Sequence, residues 1–235
     1  MINNFIALDT ETTGIRSATD RIIEVGMAKV VNGEVVEKYD ELFNPGFHLP
    51  WEITNLTGIR DRDLKDCPGI AEKMQGILEF IGDYPILGHN VSFDYRFLKK
   101  EAKVAGYRYE GTCIDTFKIA KRVLPTGQGK KLTELCEYFD IDPGHSHRAY
   151  DDAVSAMKLY YSLAELSPEE PLVNQAEIIH VKETKAAPIT DAQKRFLSSL
   201  AAQHNLTLPK PLESYQKSEA SREIDKILST FGRKY

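Results

Sequence analysis

Three short stretches place carboxylates where apolar residues are expected. The first is FIALDTETTG, residues 5–14. Phe5-Ile6-Ala7-Leu8 is an apolar run suited to a buried strand, yet Asp9 and Glu11 follow at once. Residues i and i+2 of a strand share a face, so the two acids project side by side. Like charges that close repel, and burial either raises their pKa values or demands a partner. In isolation a D-x-E triplet is common at solvated strand ends. The second stretch, ILGHNVSFDYRFL, passes from strand to helix. Asp94 lies three residues before Phe97 and four before Leu98, on their apolar face. The plainer alternative is a surface acid favoured by the helix dipole.

The third stretch is HSHRAYDDA, residues 145–153. Helical geometry separates the adjacent Asp151 and Asp152. Asp152 shares a face with Ala149 and Ala156, small residues that let a helix approach a sheet, so it points inward. Asp151 shares a face with Ser155 and points outward. His147 lies just before this helix, within reach of the same spot. Three elements each aim acids inward, and a histidine adjoins one. Four carboxylates in one place persist only if cations neutralise them. Hard oxygen ligands without thiols suit Mg²⁺ or Mn²⁺. Two such ions about 3.5–4 Å apart are suited to phosphoryl displacement. A neutral histidine nearby can take a proton from water.

Elements must position these groups. The expected strands are Phe5–Asp9, Ile22–Val31 and Glu34–Phe43, the last two joined by the turn dipeptide Asn32-Gly33 and therefore antiparallel. Asn44-Pro45-Gly46 breaks the pattern. Ile70, Met74, Ile77, Leu78 and Ile81 sit at helical spacing, and Ile86-Leu87 reads as a short buried strand. Helices are expected over 91–105, 132–139 and 149–166, with a short strand and a helix within 111–124. Antiparallel strands followed by strands alternating with helices indicate an α/β mixed sheet with helices packed on it.

The chain has 235 residues, 42% hydrophobic and 28% charged, enough for one ordinary domain and something smaller. No apolar run approaches the ~20 residues of a membrane span. The start, Met-Ile-Asn-Asn, lacks a secretory pattern, so a cytoplasmic protein is expected. Cys67, Cys113 and Cys136 are odd in number, without a C-x-x-C pair, and read as reduced core thiols. Net charge is −5, with −6 on residues 1–166 and +1 on the remainder. An acidic enzyme core can bind a phosphate backbone if cations neutralise part of that charge. After Leu166 the texture changes: residues 167–187 read as a linker and 188–235 as a small helical module. Thr190 with Gln193 forms a capping box there, and Ile224, Ile227, Leu228 and Phe231 make a stripe.

DTETTG, HNVSFD and HRAYDDA together resemble the three motifs of the DEDD-type 3′-to-5′ exonucleases, in order, over residues 1–166. The His-x-Ala-x-x-Asp form is that of the histidine branch, which includes the proofreading epsilon subunit, the DnaQ-like exonucleases and the exonuclease region of bacterial replicative polymerases. The resemblance implies an RNase H-like, mixed five-stranded sheet flanked by helices, and removal of nucleoside 5′-monophosphates from a DNA 3′ end, single-stranded, in proofreading or repair. It implies that Asp9, Glu11, Asp94 and Asp152 hold two Mg²⁺ (or Mn²⁺) ions and that His147 is the general base. Thr12 and Thr13 match positions lining the 3′-terminal nucleotide pocket. Leu56, in ITNLTGI, matches an apolar wedge at the terminal bases, and Asn90 and Phe93 border the same end. A DNA polymerase is the implied partner. His145 is the rival of His147, and His89 reads as structural.

The C-terminal TDAQ and EASREID segments resemble short helical modules appended to bacterial and phage proteins of DNA metabolism. The motifs do not separate DNA from RNA, so an exoribonuclease of the same branch is the nearest alternative. A non-catalytic nucleic-acid-binding relic and a two-carboxylate glycosidase are the others.

Overall fold

The computed structural model describes residues 1–179 and 187–231. Strand β1 (Phe5–Thr12) pairs antiparallel with β2 (Ile22–Val31), and β2 with β3 (Glu34–Leu42). The β2–β3 turn is Asn32-Gly33, both at positive φ (55° and 87°), the geometry that hairpin twist favours. Two short helices follow, α1 (Trp51–Thr57) and α2 (Asp61–Leu64), then α3 (Ile70–Ile81). Strand β4 (Ile86–Gly88) runs parallel to β1 and leads into α4 (Ser92–Val104). Strand β5 (Thr112–Asp115) is parallel to β4 and leads into α5 (Thr116–Val123), α6 (Leu132–Tyr138) and α7 (Ala149–Leu166).

Sheet order is β3-β2-β1-β4-β5-β6. Side chains of β1 alternate between two cores. Ile6 and Leu8 pack with Met74, Ile77, Tyr95 and Phe97 from α3 and α4. Phe5 and Ala7 pack with Ile119, Leu135, Leu159 and Leu163 from α5, α6 and α7. Asp9 and Glu11 continue the parity of Phe5 and Ala7, so they extend the face that α7 covers.

The sheet has six strands where five were expected. The sixth, β6 (Glu177–Ile178), follows the four-residue helix α8 (Pro171–Asn174) and pairs antiparallel with β5. Both lie within 167–187, read from sequence as a linker. A two-residue strand has no alternation to detect, and α8 is one turn. Val173 of α8 is fully buried in the α7-side core, so this stretch is anchored. Residues 180–186 of that stretch, and 232–235 at the end of the expected module, lie outside the described residues.

Contacts divide the chain into two compact units, 1–181 and 182–235. In the second, α9 (Asp191–Gln203) and α10 (Lys217–Phe231) pack through Leu197, Leu200, Ile224 and Ile227. Thr190 and Gln193 form the capping box of α9, and Gln193 Nε2 donates to Lys217 O and Ser221 Oγ of α10. The three cysteines are free. Among the described residues no helix is long and apolar enough to cross a membrane.

Candidate active site

The cross-strand register between β1 and β2 builds the floor of the site. Phe5 faces Val30 and Ala7 faces Ala28; then Asp9 faces Gly26 and Glu11 faces Glu24. Gly26 has no side chain because α7 begins there: a Cβ on it would lie 2.0 Å from Tyr150 N and 2.2 Å from Ala149 C. The first turn of α7 therefore rests on β2 beside Asp9. That contact brings Asp152 to the acids of β1.

Asp94 enters from the other side, in the first turn of α4. Phe97 and Leu98 on its face are fully buried, and Asp94 is 3% exposed. Its Oδ1 accepts from Thr10 N at 3.0 Å and from Thr10 Oγ1 at 2.7 Å. Thr10 points to the opposite face from Asp9 and Glu11, so one strand carries two acids and grips a third.

His147 stands at φ +65° in the loop before α7, and its N–H donates to Asp152 Oδ2 at 3.0 Å. One ligand atom each from Glu11, His147 and Asp152 falls within 4.8 Å of the others. His145 turns elsewhere. Its N–H donates to Asp151 Oδ2 at 3.0 Å and its ring lies 3.3 Å from the same carboxylate, which holds Asp151 outside the cluster.

Electrostatics follow from this crowding. Burial, then the charges of Asp94, Glu11 and Asp152, push the Asp9 carboxyl well above the usual range. Burial, then Asp152, Glu24 and Asp94, push Glu11 up to about 8, with Arg148 pulling the other way. Burial raises Asp94 to about 7 against its Thr10 hydrogen bonds, and raises Asp152 against the bond from His147 N–H. Among the described residues no lysine or arginine forms an ion pair with any of these four, because Arg148 is committed to Glu24. Hard oxygen donors that are costly to ionise together, beside one imidazole, fit divalent cations.

An open cleft is lined by Asp9, Glu11, Asp94, Asp152 and His147, with Thr10, His89, Asn90, Phe93 and Leu132. Asn90 is exposed at φ +64°, and its N–H donates to Asp115 Oδ1 at 2.9 Å. Phe93 is half-buried, its ring centroid 4.9 Å from that of Phe97. Thr12 and Thr13 are buried, and neither lines the cleft. Thr12 Oγ1 donates to Gly14 O at 2.6 Å, and Thr13 Oγ1 accepts from Arg21 N at 3.0 Å, so both hydroxyls brace the turn after β1. Leu56 is 53% exposed on α1, outside the cleft lining. His89 bonds through both ring nitrogens, Nδ1 to Thr116 Oγ1 and Nε2 to Lys130 O, while one side faces the cleft.

Sequence reading missed Thr10, Glu24, Asp115 and Leu132. Thr10 occupies an ordinary polar position near a strand end. Asp115 looks like a strand end, and its role as N-cap of α5 and acceptor from Asn90 depends on β4 lying beside β5. The one available signal was Glu24 in the otherwise apolar run Ile22-Ile23-Glu24-Val25.

A mixed sheet that gathers four carboxylates and a histidine at the end of its central strand defines a class of enzymes that cleave phosphate esters with bound cations. The chain belongs to the exonuclease family (RNase T), whose sequence profile matches residues 6–160. It is 33% identical over 174 residues to the DNA polymerase III PolC-type of Caldanaerobacter subterraneus subsp. tengcongensis, covering 74% of this chain and 12% of that protein. It is 36% identical over 160 residues to the DNA polymerase III PolC-type of Bacillus subtilis (strain 168), covering 66% of this chain and 11% of that protein. The chain thus spans about an eighth of the length of such relatives.

Among solved structures, E. coli exonuclease I in complex with a dT13 oligonucleotide matches with a TM-score of 0.63 and 18% identity, covering 71% of this chain and 42% of that one. Exonuclease X in complex with 5′-overhanging duplex DNA matches with a TM-score of 0.55 and 24% identity, covering 70% of this chain and 93% of that one. These likenesses show the α/β, RNase H-like fold. A zinc-bound form of the exonuclease I–single-stranded DNA complex is among the matching folds, at 17% identity and a TM-score of 0.64.

Proposed function

We propose that the protein is a 3′-to-5′ exonuclease that shortens the 3′ end of single-stranded DNA, releasing nucleoside 5′-monophosphates in proofreading or repair. The observation that carries this reading is the convergence of Asp9, Glu11, Asp94 and Asp152 from three elements, all with raised pKa values, beside His147. Asp9, Glu11, Asp94 and Asp152 would hold two Mg²⁺ or Mn²⁺ ions. Bound there, the ions supply Lewis-acid stabilisation of the charge that builds on phosphorus and on the departing 3′ oxygen.

The chain's own groups do the rest. An imidazole nitrogen of His147 takes the proton of the attacking water as its oxygen adds to phosphorus. The Asp152 carboxylate accepts the His147 N–H and so fixes where that ring begins. Thr10 holds Asp94 in the cluster. Asn90 and Phe93 border the terminal nucleotide, and Phe93 offers a ring face that any base can stack on. Thr12 and Thr13 shape the wall of that pocket through the turn they brace, and the exposed Leu56 wedges against the terminal bases. This chemistry belongs to residues 1–166. Residues 188–235 form a module for a nucleic acid or a protein partner, and a DNA polymerase in the cytoplasm is the partner we assign.

The test is digestion of end-labelled DNA and RNA oligomers of one sequence with Mg²⁺, with Mn²⁺ and with EDTA. DNA shortening from the 3′ end, 5′-monophosphate products and complete loss in EDTA are expected. Faster loss of RNA would transfer the reading to an exoribonuclease. Activity surviving EDTA, or shortening from the 5′ end, would overturn it.

A further inference from the structure

Glu24 is a fifth acid on this face, and unlike the other four it has its own cation. It lies directly across the ladder from Glu11, with its side chain fully buried. Arg148 Nε and Nη2 both donate to Glu24 Oε1, at 2.9 and 2.8 Å. Ala149 N–H, in the first turn of α7, reaches Glu24 Oε2 at 3.3 Å. One carboxylate thus grips a side chain and the backbone of consecutive residues.

Those residues immediately follow His147. The His147 backbone is in the left-handed region, which a non-glycine residue enters only when its surroundings impose it. Its side chain is exposed, so packing does not locate the ring. His145 N–H on Asp151 and Ser155 Oγ on Pro143 O hold the earlier part of the loop; at His147 itself the attachments are its own N–H on Asp152 and, just after it, residues 148–149 on Glu24. Two carboxylates facing each other across a ladder are unfavourable, and the charge of Glu24 makes Glu11, Asp9 and Asp152 harder to ionise. The Arg148 side chain is 46% exposed, so solvent screens the pair and its contribution to stability is small. Its effect here is location.

We propose that the Glu24–Arg148 pair is a positioning device for His147: it seats the loop before α7 on β2, so that the imidazole stands over Glu11 and Asp152. This rests on the reading of His147 as general base. Arg148 and Glu24 are positioning residues and touch no reacting atom.

The test compares wild type, Arg148→Met, His147→Ala and the double variant. Each is assayed with Mg²⁺ on end-labelled single-stranded DNA for kcat and KM, and by NMR in the metal-free state. Arg148→Met lowers kcat about 10²-fold, the cost of misplacing a reacting group by ~1 Å, while KM stays within about threefold. In the His147→Ala background the same change adds nothing. The His147 amide and ring resonances move in Arg148→Met, while those of the His89 ring stay in place. Arg148→Lys keeps a point charge without the planar fork, recovers only part of kcat, and supplies the same cycle should the methionine variant unfold. An equal loss of kcat with and without His147, or unmoved His147 resonances, overturns the inference. Should His147→Ala keep wild-type turnover, the general-base reading falls, and the resonance shifts alone decide whether the pair positions the loop.

Discussion

The Thr10 hydroxyl and backbone N–H both donate to Asp94 Oδ1, at 2.7 and 3.0 Å, so the acid of α4 is tied to the strand that carries Asp9 and Glu11. Thr10→Val keeps the shape and the backbone bond but removes the hydroxyl. A hydrogen bond to a charged group contributes about 1.5–3 kcal/mol. Part of this is recovered in metal-free protein, where Asp94, raised to about 7, is partly protonated at neutral pH. Urea unfolding with saturating Mn²⁺ is expected to show a loss of about 1–2 kcal/mol. Titration calorimetry should show weaker Mn²⁺ binding. Unchanged stability and affinity would mean that the backbone bond alone holds Asp94.

Asp94→Ala and His147→Ala should each lower turnover by about 10²–10⁴-fold while the protein remains folded. Single-turnover digestion of labelled DNA measures the first part and circular dichroism the second. Near-normal rates in either variant would show that its assigned role is wrong.

Stability of the metal-free protein should fall as pH rises. Folded-state pKa values of Glu11 and Asp94 are raised to about 8 and about 7, and those of Asp9 and Asp152 are raised as well. Between the ordinary carboxylate range and these values the folded state binds more protons than the unfolded one, so the slope of unfolding free energy with pH is negative. The contribution is fully present below about pH 4 and is lost as pH climbs through about 7–8. Melting in EDTA from pH 5 to 8.5 should therefore show a falling Tm. Mn²⁺ should reverse the fall, by about 2.7 kcal/mol at a hundredfold excess over its dissociation constant. A pH-independent Tm that ignores Mn²⁺ would remove the basis for a cation site.

Gly26→Ala tests the seat of α7. Its Cβ would sit 2.0 Å from Tyr150 N, against backbone that cannot rotate away. Overpacking of this kind costs about 1–3 kcal/mol. Denaturant unfolding should register that loss, and turnover should drop with it because Asp152 and His147 move together. A stable, active Gly26→Ala protein would show that α7 can lift from β2 without harm to the site.

Much of the fold was legible because period is a local property. Apolar runs and the Asn32-Gly33 turn marked β1 to β3, and the 3.6-residue repeat marked the apolar face of α3 and the whole of α7, Ala149–Leu166. Helices α1 and α2 were missed: α1 buries only Thr57 and so carries no apolar stripe, and α2 is four residues long, too short for a repeat to emerge. Strand β6 was missed for the same reason. The acids stood out because each interrupts an apolar run or face; Glu24 interrupts one too, in Ile22–Val25, but without a second acid beside it in β2, whereas Thr10 sits where a strand ordinarily carries a polar side chain.

The amino-acid order by itself determined the longer strands and helices, the inward placement of Asp9, Glu11, Asp94 and Asp152, and the family the motifs belong to. Tertiary structure alone decided that Glu24 stands opposite Glu11, that Gly26 admits α7, that the Arg148 guanidinium meets the fifth acid, and that Thr10 of β1 grips Asp94 of α4. Spacing along one element sets the direction of a side chain. Its partner is set by the register and the packing distance between elements far apart in the chain, and those depend on how the cores on the two faces of the sheet close.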